Sequence, residues 1–149
     1  MIYIEEIRSE NELKVIAAGV HEFAEKLHKM LIPFEDSVSE IAAGVEYALD
    51  QSGYRGGFIL AATENEETQG ALVLLNTNMK GYVPENLLLY VAVDSTRRGK
   101  GIGSNLIKRA IELCQGDIKL HVEYDNPARS LYQRIGFMSK YADMRYTHE

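Results

Sequence analysis

Apolar and polar positions along the chain change period several times, and each change marks an element. Ile2, Ile4 and Ile7 predict a short first strand, after which Ser9-Glu10-Asn11-Glu12 has the Ser-x-x-Glu form of a capping box opening a helix. That helix carries Leu13, Ile16, Ala17, Val20, Ala24, Leu27 and Leu31 at helical spacing, and Ile32-Pro33 ends it, because proline disfavours helical geometry in the residue before it. Ser37-Val38-Ser39-Glu40 repeats the capping signal; Val38, Ile41, Ala42, Val45, Ala48 and Leu49 give a second amphipathic helix that Gly53 closes.

Three apolar runs follow with no helix between them: Phe58 to Ala62, Ala71 to Leu75 and Leu87 to Val93. A polar, acidic turn joins the first two, so they are expected to form an antiparallel hairpin. A helix from about Gly101 to Cys114 then leads to a strand, Ile118 to Tyr124. Asn126 suits the N-cap of a last helix and Pro127 its first turn, with Ala128, Leu131, Tyr132 and Ile135 on one face and Gly136 past the end. The tail, Phe137 to Thr147, is expected to add one or two strands. Consecutive strands followed by a crossover helix predict an α/β (mixed α+β) domain, a mixed sheet flanked by helices. A chain of 149 residues fits one such domain, residues 1–149.

One connection carries more than a turn. Arg97-Arg98-Gly99-Lys100-Gly101-Ile102-Gly103-Ser104 lies between the strongest strand and a helix. N–H groups at a helix start lack partners, and glycines let a phosphate approach them. From Arg97 to Arg109 there are five bases and no acid, and three of the bases crowd the helix's positive end, a conflict that a bound anion would remove. The plainer reading is a glycine-rich turn with solvated bases. A Gly-x-x-x-x-Gly-Lys-Ser/Thr motif is absent, and Gly-x-Gly-x-x-Gly fails because Ser104 and Leu106 fall where the third glycine should be. A nucleotide hydrolase or dehydrogenase is disfavoured.

Composition narrows the rest. The longest apolar run, Leu87 to Val93, is far below the ~18 residues of a membrane span, and the first residues do not read as a signal peptide, so a cytoplasmic protein without membrane partners is expected. Cys114 is the only cysteine, and four histidines without a supporting cluster do not suggest a metal site. The net charge of −6 argues against nucleic acid, and its placement is uneven. Residues 1–57 carry 11 acids and 5 bases, so the excess negative charge lies in that segment.

Val91-Ala92-Val93-Asp94 followed by Arg98-x-x-Gly101-x-Gly103 resembles the signature of the GCN5-related N-acetyltransferases: strand, Arg/Gln-x-x-Gly-x-Gly/Ala loop, helix. A second block, Asn126 to Phe137, is similar to the family's Asn-x-x-Ala-x-x-Leu-Tyr-x-x-x-Gly-Phe segment, with one residue fewer between Asn126 and Ala128. The resemblance implies a mostly antiparallel sheet of six to seven strands with about four helices, and acetyl-CoA as acetyl donor. It implies that backbone groups of Val91, Ala92 and Val93 pair with the pantetheine arm. The N–H groups of Gly99, Lys100, Gly101, Ile102, Gly103 and Ser104 would then hold the pyrophosphate, with Arg98 adding charge. Asn126 either touches the cofactor or only caps its helix; Tyr132 either sits beside the sulfur or only fills the core.

Transfer to an amine needs a neutral nucleophile, a polarised carbonyl and a proton for the departing thiolate. Tyr132 suits the proton donor and the Val91 N–H the carbonyl. Some relatives carry a glutamate base in the fourth strand, where this chain has Leu87. On the next strand, alternation places Lys119, His121 and Glu123 on one face. His121 is the leading base candidate, with Glu123, Glu85 and a water chain still open. The expected function is therefore an N-acetyltransferase acting on a small or peptidyl amine; the alternative is a non-catalytic acyl-CoA-binding module. A thiol hydrolase using Cys114 is a distant third reading. By the family's architecture the first two helices line the acceptor side, where Glu22, Glu25, Glu35, Asp36 and Glu46 would either attract a cationic amine or simply solvate the helices. A homodimer is left open.

Overall fold

The computed structural model describes residues 1–148. Its elements run β1 (Tyr3–Ile7), α1 (Glu10–Leu13), α2 (Val20–Leu31), α3 (Val38–Ala48), β2 (Gly57–Glu64), β3 (Glu67–Asn76), β4 (Asn86–Val93), α4 (Ile102–Leu113), β5 (Ile118–Leu120) and α5 (Ala128–Ile135). The strands form one sheet in the order β1-β2-β3-β4-β5. Neighbours are antiparallel except β4 and β5, which are parallel and joined by α4 as crossover. The mixed sheet flanked by helices is thus as expected, with five strands among the described residues in place of six to seven.

The capping signals act as read. Ser9 Oγ accepts the Glu12 N–H at 3.1 Å while Glu12 Oε1 accepts the Arg8 N–H at 2.9 Å, and Ser37 Oγ accepts the Glu40 N–H at 3.2 Å. Asn65 and Glu66 adopt positive φ (52° and 66°) in the two-residue turn of the β2–β3 hairpin, which suits the right-handed twist of its strands.

Three expectations need correction. The first long helix is broken: after α1, residues 14–19 form turns, and α2 restarts at Val20 behind Gly19, where Glu22 Oε2 accepts the Ala18 N–H at 3.2 Å. Ile16 and Ala17 are still buried, so the apolar spacing reflects burial without a continuous helix. The strand expected over 118–124 stops at Leu120. No strand forms over 137–147; Met138, Tyr141, Met144 and Tyr146 are exposed, and the three-residue β5 offers little edge for pairing.

The sheet buries both faces. On one, Ile59, Ala61, Ala71, Val73, Tyr90 and Ala92 pack under α2 and α3 with Phe23, Leu27, Ile41 and Val45. On the other, Phe58, Leu60, Leu72, Leu74 and Leu88 meet Ile102, Leu106 and Ile107 of α4 and Tyr132 of α5. Burial on both faces explains why β2 to β4 read as continuous apolar runs.

Candidate active site

The site begins with an irregularity in β4. Val73 pairs with Tyr90 and Leu74 with Leu88, so Leu89 is an extra residue without an opposite on β3. Leu89 and Tyr90 therefore both turn toward α2 and α3, while Leu88 and Val91 both join the α4 cluster. Gly44 of α3 makes room for the bulged residue: a Cβ there would lie 2.5 Å from Leu89 Cδ2.

A bulge bends its strand, and here β4 and β5 pair only over Asn86–Leu88 and Ile118–Leu120. Asn86, 7% exposed, pins that end: its Nδ2 donates to Gln115 O at 2.6 Å and to Asp117 O at 3.1 Å, and its N–H donates to Asp117 O at 3.1 Å. Among the described residues, the β5-side edge of β4 beyond Leu88 has no strand partner. The Asp94 N–H points toward β3, donating to Gln69 O at 2.8 Å, and Val93 O points away, accepting from Arg98 Nε at 3.3 Å. Alternation then leaves the N–H and C=O of Val91 facing the opening.

The loop that follows is shaped by local bonds. Asp94 Oδ1 accepts the Thr96 hydroxyl at 2.6 Å and N–H at 2.9 Å, which starts a single 3-10 turn over Ser95–Arg97. These bonds hold the Asp94 carboxyl below the usual carboxylate range. Gly99 and Gly101 take left-handed φ of 79° and 80°, with no atom within 4 Å of where a Cβ would stand. The first backbone bond of α4 runs from Asn105 N–H to Gly101 O at 3.0 Å. Among the described residues, the N–H groups from Gly99 to Ser104 therefore have no partner within the protein. Unpartnered N–H groups at a helix start, with open space beside Gly99 and Gly101, are a setting in which an anion such as a pyrophosphate can be held.

The bases around the loop are more committed than their spacing suggests. Arg97 pairs with Glu64 of β2, and Arg98 donates to Met30 O, in the last turn of α2, at 2.9 Å as well as to Val93 O. Lys100 is exposed and makes no such pairing among the described residues. Arg98 thus ties the end of α2 to the end of β4.

Tyr132 lies on α5, 8% exposed, within the cluster that holds Val91, Val93, Ile102 and Leu131. Its ring meets Phe137 edge-on with centroids 5.8 Å apart. Burial, with the Glu123 carboxylate adding to it, pushes its hydroxyl up to about 12. Of the two buried tyrosines, Tyr90 donates to Asp36 Oδ2 at 2.7 Å, while the Tyr132 hydroxyl has no hydrogen-bond partner among the described residues. Asn126 Oδ1 accepts the Ala128 N–H at 2.9 Å, so the side chain caps α5 from one residue before Pro127, which occupies the cap position.

His121 and Glu123 lie past the end of β5 and are exposed. The expected alternation with Lys119 on one strand face therefore does not apply: among the described residues no strand pairs with 121–124. Burial raises the Cys114 thiol, which removes support from a thiol nucleophile. The opening thus gathers Val91, Val93, Tyr132 and the 99–104 loop; the exposed Glu123 carboxylate lies near enough to raise the Tyr132 hydroxyl, while His121 is exposed past the end of β5. Sequence reasoning missed Tyr90 and Asn86. Their signal was a polar group just before an otherwise aliphatic run, at Asn86, and one in its middle, at Tyr90.

Comparison with known proteins agrees with this architecture. N-alpha-acetyltransferase 30 of Xenopus laevis is 36% identical over 90 residues, covering 57% of this chain and 33% of that protein. The Homo sapiens protein of the same name matches at 36% over 90 residues, covering 25% of its length. The chain thus spans a third or less of these curated relatives. A putative acetyl transferase from Pyrococcus furiosus shares the fold with TM-score 0.68 at 21% identity, covering 99% of this chain and 100% of that one. An aminoglycoside N-acetyltransferase, AAC(6')-Iy in complex with CoA, does so with TM-score 0.69 at 16% identity, covering 99% and 95%. The acetyltransferase (GNAT) family matches residues 21–137, most of the chain, and this protein belongs to that family.

Proposed function

We propose that this protein transfers an acetyl group from acetyl-CoA directly to a primary amine. The observation that carries the reading is the parting of β4 from β5 after Leu88, beside a loop of unpartnered N–H groups at the start of α4. Family membership supports the donor, and the CoA complex of the aminoglycoside N-acetyltransferase supports it further.

In this reading the loop 99–104 holds the pyrophosphate through its N–H groups and the open space at Gly99 and Gly101. Val91, Ala92 and Val93 border the thioester arm, with the Val91 N–H holding the carbonyl oxygen. The amine nitrogen attacks the carbonyl carbon, the C–S bond breaks, and Tyr132 delivers its proton to the departing sulfur. The nitrogen's proton leaves by His121, Glu123, Glu85 or water. Asn126 keeps its cap role on α5.

The acceptor belongs to the amines that the relatives' names cover, an N-terminal α-amine or an amino sugar, and the acidic residues 1–57 favour a cationic one. A second reading, an acyl-CoA-binding module without turnover, is favoured by Leu87 at the strand position where some relatives carry a base and by the exposure of His121 and Glu123. Incubating the protein with acetyl-CoA and panels of N-terminal peptides, Lys peptides, polyamines, amino acids and aminoglycosides, while following free thiol, separates the two. Turnover with a preferred amine is expected. Tight acetyl-CoA binding with no thiol release above hydrolysis from any panel would establish the binding module.

A further inference from the structure

We propose that Tyr90 is a positioning residue for the acceptor: its hydroxyl holds Asp36, and with it the α2–α3 connection, beside the open stretch of β4. The inference rests on the amine-acetylation reading and adds to it a residue that never touches substrate.

Tyr90 is the first residue after the bulge, at the point where β4 has left β5. The extra residue Leu89 puts Tyr90 on the α2/α3 face, opposite Val91. Its ring is buried, 9% exposed, yet its hydroxyl reaches out to the exposed Asp36 and donates to Oδ2 at 2.7 Å. Among the described residues this is the only side-chain hydrogen bond from the sheet to residues 32–37. His28 Nδ1 lies 2.9 Å from the Asp36 carbonyl oxygen, and Arg98 donates to Met30 O just ahead of the connection. The segment is thus held at its start from the cofactor loop and at its end from the bulge.

A phenol donating to a carboxylate makes a short, charge-assisted bond that also fixes the direction of the carboxylate. Burial, the bond itself and the nearby charges of Asp36 and Glu40 all raise the Tyr90 hydroxyl, so it remains a donor throughout an assay range. Oδ1 of Asp36 has no partner among the described residues, which leaves one oxygen for the ammonium or amide of an acceptor. Tyr90 therefore acts on acceptor recognition from one face of β4, while Val91 and Tyr132 serve the donor from the other.

The test compares Tyr90→Phe, Asp36→Ala and their combination, using the amine that wild-type enzyme prefers. Tyr90→Phe should raise KM for the amine about tenfold, the scale of one hydrogen bond to a charged group, and Asp36→Ala, which also removes the oxygen left for the acceptor, at least as much, with acetyl-CoA affinity by calorimetry within about twofold of wild type in both. The double variant should be no worse than Asp36→Ala alone, since Asp36→Ala already removes the bond that Tyr90→Phe removes. Hydrogen exchange over residues 32–37 should quicken in Tyr90→Phe and in Asp36→Ala, but not in Asp36→Asn, whose amide oxygen still accepts from the phenol. Wild-type amine KM in Tyr90→Phe, additive effects in the pair, or equal losses in amine and acetyl-CoA binding would each overturn the inference. Were Tyr90→Phe to fail to fold, Asp36→Ala at an exposed position carries the same comparison. Wild-type protein inert toward every amine overturns the acetyl-transfer reading and this inference together, whereas an active wild type with an indifferent Tyr90→Phe overturns the inference alone.

Discussion

The two rims of the opening beside β4 are made of different material. The rim formed by residues 98–104 presents backbone: two left-handed glycines and a row of unpartnered N–H groups, with Arg97 and Arg98 drawn off to Glu64, Val93 and Met30. The rim formed by residues 30–37 is held by side chains, chiefly Tyr90 on Asp36 and Arg98 on Met30 O. A backbone rim keeps its chemistry whatever side chains surround it, provided its φ angles survive. A side-chain rim can be retuned by single substitutions. On the proposed function, the backbone rim would take the donor and the side-chain rim the acceptor.

The largest expected effect breaks the backbone rim. Gly101→Asp puts a Cβ at φ 80° and a carboxylate where the pyrophosphate is proposed to lie. Acetyl-CoA affinity by calorimetry should fall at least about a hundredfold, roughly 2.7 kcal/mol. Unchanged affinity in folded protein would sink the assignment of the loop.

Tyr132→Phe should cut kcat by about a hundredfold while acetyl-CoA affinity stays near wild type, because only the proton transfer is lost. Normal turnover at every pH would make Tyr132 a core residue alone. Since burial pushes its hydroxyl up to about 12, Tyr132 stays protonated through neutral and mildly alkaline pH, and any basic limb between pH 7 and 9 must belong to another group. The raised value also fixes a stability sign. The contribution is complete below the ordinary tyrosine value of about 10 and is lost as pH rises toward 12, so the stability gap between wild type and Tyr132→Phe should change across that window.

Asn86→Ala tests what holds the opening's closed end. Losing both Nδ2 bonds leaves the Gln115 carbonyl without that donor in a part-buried site, and about 2 kcal/mol of stability should disappear in denaturant titrations. A loss under about 0.5 kcal/mol would show that α4 alone sets the β4–β5 register. The smallest effect concerns charge on the other rim. Glu35→Gln with Asp36→Asn should raise KM for a cationic acceptor about threefold at low salt and hardly at all in 1 M salt, where screening is nearly complete. Indifference to both salt and substitution would mean that the charge of these carboxylates does not steer the acceptor.

The sequence by itself determined the elements whose signals are local. Capping boxes at Ser9 and Ser37, the apolar runs of β2, β3 and β4, and the glycine pattern of 99–103 depend on neighbours within a few residues, and the structure follows them. Pairing with the family's two motifs was legible for the same reason. Only the tertiary structure decided the rest. The bulge at Leu89 arises from the register between β3 and β4 and from the space that Gly44 leaves, neither visible in a run of leucines. The length of β5 depended on how far β4 stays beside it, so apolar alternation over 118–124 overstated the strand and misplaced His121 and Glu123. The partners of Arg97 and Arg98 lie 33 and 68 residues away, so a count of nearby charges could not show that Glu64 pairs with Arg97 or that Arg98, still without a carboxylate partner among the described residues, is tied to Met30 O. Local periodicity specifies what each segment can become; contacts between distant segments decide where strands part, and that parting makes the site.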